Sequence, residues 1–388
     1  MAPQKEKAPL ITSRLPDVGT TIFTVMSKLA ADLGAINLSQ GFPDFPIDEK
    51  LVALVNKYMV EGHNKYAPMP GVPALGSAIE KVILRSFGVA ITKEQHLTIT
   101  AGATEAIYST IAAFINPGDE VLLFDPCYDS YDPAIRLNGG VPIHMELSPP
   151  DFRIDWDLVR KSINPKTRMI MINTPHNPTG SILTVHDLKE LEEIVLRHGL
   201  LVVSDEVYER IIFDGEVHQS VLRYPGLAAH SIAVFSFGKT FHATGWKVGY
   251  AVAPEPLTRE IRKTHQFVTF SVNTPVQLAL TEYLETPEHY EQLGPFFQRK
   301  RDFFLDQIKG SSFEPIPSHG SYFQLVSYRQ IADLPEYEMA VYITNLFKVA
   351  SIPVSVFYRS KRNQHLLRFC FAKKDETLAR AGEILRKI

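Results

Sequence analysis

The chain has 388 residues, of which 40 are Lys or Arg and 43 Asp or Glu, for a net charge of −3. That length suits one large and one small domain at about 100–200 residues each, and the slight negative charge gives no support for nucleic-acid or membrane-surface binding. No run approaches the ~18 apolar residues of a membrane span, and two cysteines, Cys127 and Cys370, are too few for a disulfide framework. Met1–Pro9 is polar, lacks the apolar core of a signal peptide and reads as a frayed tail. A soluble, cytoplasmic protein is expected.

In chain order, Ile22–Leu33 has helical spacing and Ile36-Asn37-Leu38 reads as a short strand. From about Asp48 to Phe270, strand patterns alternate with helical ones at Leu51–Val60, Pro73–Phe87, Glu105–Phe114, Asp155–Ile163, Asp187–Arg197 and Glu260–Phe270. Such alternation predicts an α/β unit, a mostly parallel sheet with helices on both faces. Beyond Pro287 the pattern changes to a long helix, His289–Ile308, a strand Tyr322–Val326, a helix Glu336–Lys348, a strand Leu366–Phe371 and a terminal helix Asp375–Lys387. These read as a smaller α+β domain. The expected divisions are an arm, 1–47, a large domain, 48–288, and a small domain, 289–388.

The polar residues gather where apolar strands end. Leu97-Thr98-Ile99 runs into Thr100-Ala101-Gly102-Ala103-Thr104-Glu105, small residues opening an apolar helix. A turn of that kind aims backbone N–H groups at an anion, with the helix dipole adding attraction; it also suits an ordinary tight turn capped by Thr104. Val121–Phe124 leads into Asp125-Pro126-Cys127-Tyr128, Arg168–Ile172 into Asn173-Thr174-Pro175-His176-Asn177-Pro178, and Leu200–Val203 into Ser204-Asp205-Glu206-Val207-Tyr208. Ile232–Phe235 ends in Ser236-Phe237-Gly238-Lys239, with Lys247 eight residues further on. Desolvation or a neighbouring cation lowers a lysine's pKa and lets it form a Schiff base. Ser236 and Lys247 together could hold a phosphate dianion. In open α/β sheets the ligand crevice lies outside the carboxyl ends of the strands, so all these groups face one edge.

This ordered set resembles the pyridoxal-phosphate aminotransferases of fold type I, over nearly the whole chain. It includes Leu38-Ser39-Gln40-Gly41-Phe42-Pro43-Asp44 near the start and Leu367-Arg368-Phe369 near the end. The wording Asn173–Pro178, with Lys247 where many relatives use arginine, is similar to the branch of methionine aminotransferases and kynurenine/glutamine transaminases. The resemblance implies pyridoxal 5'-phosphate as cofactor, no metal, and a ping-pong exchange between an amino acid and a 2-oxo acid. It also implies a homodimer with shared active sites and an N-terminal arm packed on the small domain.

Carried onto this chain, the family pattern makes Lys239 the residue that bears the cofactor and moves the Cα proton. Asp205 pairs with the pyridine nitrogen, and Asn177 and Tyr208 bond the ring's phenolic oxygen. Tyr128 stacks on the ring, while Ala103, Thr104, Ser236 and Lys247 hold the phosphate, joined by Tyr66 from the neighbouring subunit. Lysine at 247 gives a point charge in place of a bidentate fork, which changes the geometry of the grip but not its sign. Arg368, with Asn177 and the backbone at Gly41, clamps the substrate carboxylate. Phe42, Tyr66, Phe270 and Tyr322 are the expected walls of the side-chain pocket, which favours methionine and aromatic or similar neutral amino acids. A kynurenine/glutamine transaminase that also eliminates sulfur from cysteine S-conjugates is the rival, and a non-catalytic regulator of the same fold is a more distant one.

Overall fold

Seven apolar segments form one central sheet in the computed structural model, which describes residues 11–388. They are β1 (Leu97–Thr100), β2 (Glu120–Asp125), β3 (Val141–Glu146), β4 (Thr167–Asn173), β5 (Leu201–Asp205), β6 (Ser231–Ser236) and β7 (Gly249–Val252), in the order β1-β7-β6-β5-β4-β2-β3. Only β7 runs against its neighbours; the other pairings are parallel. The interior strands are apolar almost without interruption because both faces are covered. Alternation sends Leu122, Phe124, Ile170 and Ile172 to one core, and Val121, Leu123, Met169 and Met171 to the other. Helices Pro73–Phe87, Val185–His198 and Thr274–Tyr283 close the first core, and Gly102–Phe114, Tyr131–Leu137 and Glu255–Val268 close the second.

Local chemistry sets the element ends. Thr184 and Asp187 form a reciprocal capping box at the start of Val185–His198, and Gly199 ends it at φ 65°, a left-handed conformation that glycine adopts without strain. Several expected boundaries differ, as for the helix expected over Glu260–Phe270, which spans Glu255–Val268, and several elements, the helix Tyr131–Leu137 among them, have no counterpart in the sequence pattern. The helix predicted from Glu105 begins at Gly102, and the long helix predicted over His289–Ile308 is split into Glu288–Glu291 and Leu293–Ile308. Strand β3 escaped notice because it is an edge strand with Pro142 inside it, a position proline tolerates only at an edge. The short β7 and the helix Thr274–Tyr283, capped by Asn273 with Pro275 in its first turn, were also missed.

A third core lies in the C-terminal part. There β8 (Phe323–Ser327) pairs antiparallel with β9 (Leu366–Cys370), backed by Leu293–Ile308, Glu336–Phe347 and Asp375–Leu385. The N-terminal helix Ile22–Asp32 joins this core through Met26, and Ile36–Asn37 pairs in parallel with Val349–Ala350. The predicted tail Met1–Pro9 lies outside the described residues. Among the described residues no helix is long and apolar enough to cross a membrane.

Candidate active site

The carboxyl ends of β1, β2, β4, β5 and β6 meet around a cavity of about 160 Å³. A water needs only about 10–15 Å³ by the same measure, so an organic group fits. Every residue predicted to hold the cofactor lines this cavity except Tyr66.

Lys239 lies in the single helical turn Phe237–Thr240 that follows β6. Its Nζ donates to Tyr322 Oη at 3.0 Å and to the Gly41 carbonyl at 3.4 Å, while the Tyr322 hydroxyl donates to that carbonyl at 2.6 Å. Burial pushes the Lys239 pKa down to about 8, and the positive charges of Arg368 and Lys247 push the same way. A neutral, nucleophilic amine is therefore accessible near neutral pH.

Asp205 ends β5, buried. Its Oδ2 accepts from the Tyr131 hydroxyl at 2.5 Å and its Oδ1 from the Val207 amide at 3.3 Å. Burial pushes its pKa up to about 6 against these two hydrogen bonds and the charge of Lys239. A cationic partner in the cavity would reverse that desolvation cost. Asn173 fixes the surroundings: its Nδ2 donates to the Asp205 carbonyl and its Oδ1 accepts from the Asn177 amide, both at 2.8 Å. Tyr208 is buried nearby, edge-on to Tyr322 with ring centroids 5.0 Å apart. Tyr128 meets Tyr131 edge-on at 5.8 Å.

The opposite end of the cavity is an anion cradle. The helix Gly102–Phe114 begins at Ala101 without a side-chain cap, so its first amides face the cavity unmatched. Lys247, at φ 53°, brings its ammonium against them: a Cβ on Gly102 would sit 3.2 Å from Lys247 Nζ. Gly249 is as tightly confined, since a Cβ there would lie 2.5 Å from the Phe235 carbonyl and 3.1 Å from the Ala103 nitrogen. With Ser236 beside them, these groups fit a phosphate.

Arg368, on β9, is 1% exposed. Nη1 donates to Asn177 Oδ1 and Nη2 to the Ser39 carbonyl, both at 2.9 Å, and the guanidinium lies 4.0 Å from the Phe323 ring centroid. Its Nε is buried without a partner, and burial pushes its pKa down to about 10. A buried cation whose contacts are neutral calls for an anion from outside the chain.

The expected pocket walls do not converge in this chain. Tyr66 is 83% exposed and Phe270 39%, their rings paired edge-on at 5.3 Å, while Phe42 is 45% exposed beside Lys373. Tyr322 is buried and serves Lys239. Instead, a second cavity of about 680 Å³ adjoins the first at Tyr128, bordered by Thr21, Ile22, Asp129 and Phe357. None of those four, nor Tyr131, was singled out from the sequence.

The sequence profile described as "Aminotransferase class I and II" matches residues 34–385. The chain belongs to that family. It is 48% identical to methionine aminotransferase of Escherichia coli strain K12 over 98% of this chain and 99% of the relative. A kynurenine–oxoglutarate transaminase of Dictyostelium discoideum is 33% identical over 95% and 94% of the two chains. The crystal structure of YbdL from Escherichia coli, described as identifying a methionine aminotransferase function, superposes with a TM-score of 0.95 at 47% identity, covering 98% of this chain and 100% of that one. The fold is that of the fold type I enzymes, and the chain is a pyridoxal-phosphate-dependent aminotransferase acting on an amino acid and a 2-oxo acid.

The cradle, Asp205 and Lys239 match that cofactor's phosphate, pyridine nitrogen and aldehyde in charge and chemistry. When bound, pyridoxal phosphate supplies an electron sink for negative charge developing at the substrate Cα. Around it, Arg368 would hold the substrate carboxylate and so orient the Cα–H bond, a positioning effect. Lys239 would act as the general base and acid at the substrate Cα, its pKa of about 8 lying close to neutral pH. Asp205 would keep negative charge opposite the ring nitrogen, and Tyr128 and Tyr208, which line the cavity, would exclude water from it.

Proposed function

We propose that this enzyme moves the amino group of methionine, aromatic or similar neutral amino acids to a 2-oxo acid by a ping-pong mechanism. The carrying observation is charge: Arg368 is the buried cation left for the α-carboxylate, whereas in the adjoining cavity Arg136 and Arg359 are already paired with Asp132 and Asp17, and Lys361 is exposed. Burying an unpaired carboxylate is costly, whereas apolar side chains gain roughly 25 cal/mol per Å² removed from water. Similarity to the Escherichia coli methionine aminotransferase supports the same reading. The kynurenine/glutamine reading, with β-elimination from cysteine S-conjugates, is favoured only by the more distant transaminase relatives.

The working unit in this proposal is a cytoplasmic homodimer. Exposed Tyr66, Phe270 and Phe267 supply an apolar patch for the partner, and Tyr66 reaches the partner's phosphate cradle. The division into 1–47, 48–288 and 289–388 is supported by a core made mostly of C-terminal residues, which Met26 and Leu38 enter and which Val207, Tyr208, Ile211 and Phe213 join from the large domain. Comparing kcat/KM for methionine, phenylalanine, kynurenine, glutamine and aspartate at one fixed acceptor tests the substrate reading. Methionine and aromatic donors should lead; a clear preference for aspartate overturns it, and dominant pyruvate and ammonia release from S-conjugates favours the rival.

A further inference from the structure

Tyr131 opens the helix that follows β2, three residues after Tyr128, and lines the same cavity as Lys239. It is 3% exposed, and its hydroxyl spends its one proton on Asp205 Oδ2 at 2.5 Å. A ring needed only for packing would be phenylalanine here, since a hydroxyl buried in an apolar core costs free energy unless it is hydrogen-bonded. Burial also pushes the phenol's pKa well above its ordinary value, so Tyr131 remains a donor at every working pH.

We propose that Tyr131 is a positioning residue for Asp205: it aims the carboxylate into the cavity and stabilises its negative charge. A carboxylate accepts through two oxygens and about four lone-pair sites. Tyr131 occupies one site on Oδ2 and the Val207 amide one on Oδ1, which fixes the carboxylate plane and leaves the remaining sites for the cofactor's ring nitrogen. The other charged and titratable groups around Asp205 do not perform this task. Lys239, from the end of β6, acts as a charge without a hydrogen bond to Asp205, and Glu206, next in the chain, opposes ionisation. The Glu206 carboxylate is turned away, held by Ser204, His218 and the Val221 amide. Tyr128 and Tyr208 donate nothing to Asp205 among the described contacts. Tyr131 is thus the side-chain donor that keeps a fully buried acid ionised before a cation arrives.

The test measures binding, not turnover. The probe is 4'-deoxypyridoxine 5'-phosphate, a cofactor analogue without the aldehyde, titrated into cofactor-depleted full-length protein from pH 5 to 8.5. In the wild type its affinity should fall below a midpoint near the Asp205 pKa of about 6, as the acid becomes protonated. In Tyr131→Phe that midpoint should rise by roughly one to two pH units, making binding roughly three- to twenty-five-fold weaker at pH 6.5. Replacing Tyr131 by 3-fluorotyrosine, a stronger donor of nearly the same size, should leave the midpoint at or below the wild-type value. A purely structural hydroxyl would lower affinity in Tyr131→Phe equally at all pH values. Superimposable profiles for wild type and Tyr131→Phe overturn the proposal. If that variant does not fold, a 3-fluorotyrosine midpoint above that of the wild type overturns it instead.

Discussion

Replacing Arg368 should disable both halves of the reaction while leaving the cofactor in place. Of the five N–H donors of the guanidinium, two go to Asn177 and Ser39, leaving three, including the unpartnered Nε, for a carboxylate. A hydrogen bond to a charged group contributes about 1.5–3 kcal/mol, and truncating one partner of a buried charge pair costs about 2–5 kcal/mol. Arg368→Ala should therefore lower kcat/KM by roughly 10²–10⁴, mostly through KM, because the carboxylate is gripped in ground and transition states alike. Arg368→Lys keeps the charge but loses the fork and the flat contact with Phe323, and should fall between. Stopped-flow measurement of the donor half-reaction, followed by the acceptor half-reaction, separates the two substrates. Both must lose comparably, since amino acid and oxo acid present the same carboxylate. Urea unfolding of each variant accounts for the Ser39 and Asn177 acceptors left unpaired. A loss below about tenfold, or one confined to a single half-reaction, would refute the assignment.

Borohydride should fix the cofactor to Lys239, and the rate of covalent attachment to cofactor-free protein should rise with pH about a midpoint near 8, where the buried amine loses its proton; peptide mapping to another lysine, or a midpoint near 10.5, counts against it. A different pH signature belongs to His144, which donates to Asp125 at 2.9 Å and Asp132 at 3.1 Å. Burial opposes its charge, but these bonds outweigh burial and push its pKa up from 6.5 to about 9. A raised folded-state pKa gives stability fully present below about pH 6.5 and lost as pH rises through about 9. Unfolding free energies at pH 6 and 9 should converge in His144→Gln relative to wild type, and parallel profiles would remove the ion pairs from the stability account. For the shared site, mixing Lys239→Ala with Tyr66→Phe subunits should restore activity, because one of the two sites in a heterodimer carries neither lesion; a monomer in sedimentation excludes it.

What could be read from the sequence was whatever depends on local order. Apolar strands announce where their carboxyl ends lie, so Tyr128, Asn177, Asp205 and Lys239 could be assigned to one edge before any contact was known. Arg368 was legible because a cation within Leu366-Leu367-Arg368-Phe369 demands a partner. Contacts made by distant segments gave no such signal. Tyr322 reaches Lys239 from the other end of the chain, after Ser321 turns the backbone at φ 62°. Tyr131 looks like any aromatic residue at a helix start, and only the approach of β2 to β5 through β4 brings it to Asp205. The cavity beside Tyr128 needs the N-terminal segment, the Tyr131–Leu137 helix and the loop at Phe357 at once, and none carries a periodic mark of the others.

The distribution of charge explains why these pieces need one another. Burial shifts all three ionisable centres toward neutrality: Lys239 to about 8, Asp205 to about 6 and Arg368 to about 10. In the proposed site, a cationic ring nitrogen would supply what Asp205 lacks and a carboxylate what Arg368 lacks, while a phosphate would answer Lys247 and the start of the helix Gly102–Phe114. Arg368 and Lys247 both depress the Lys239 pKa through their positive charge. Anions bound at those two places cancel that field and favour the protonated ammonium. A cationic ring nitrogen at Asp205 would cancel a field of the opposite sign, since Asp205 raises the Lys239 pKa, so the lysine would follow the balance of charge in the whole cavity.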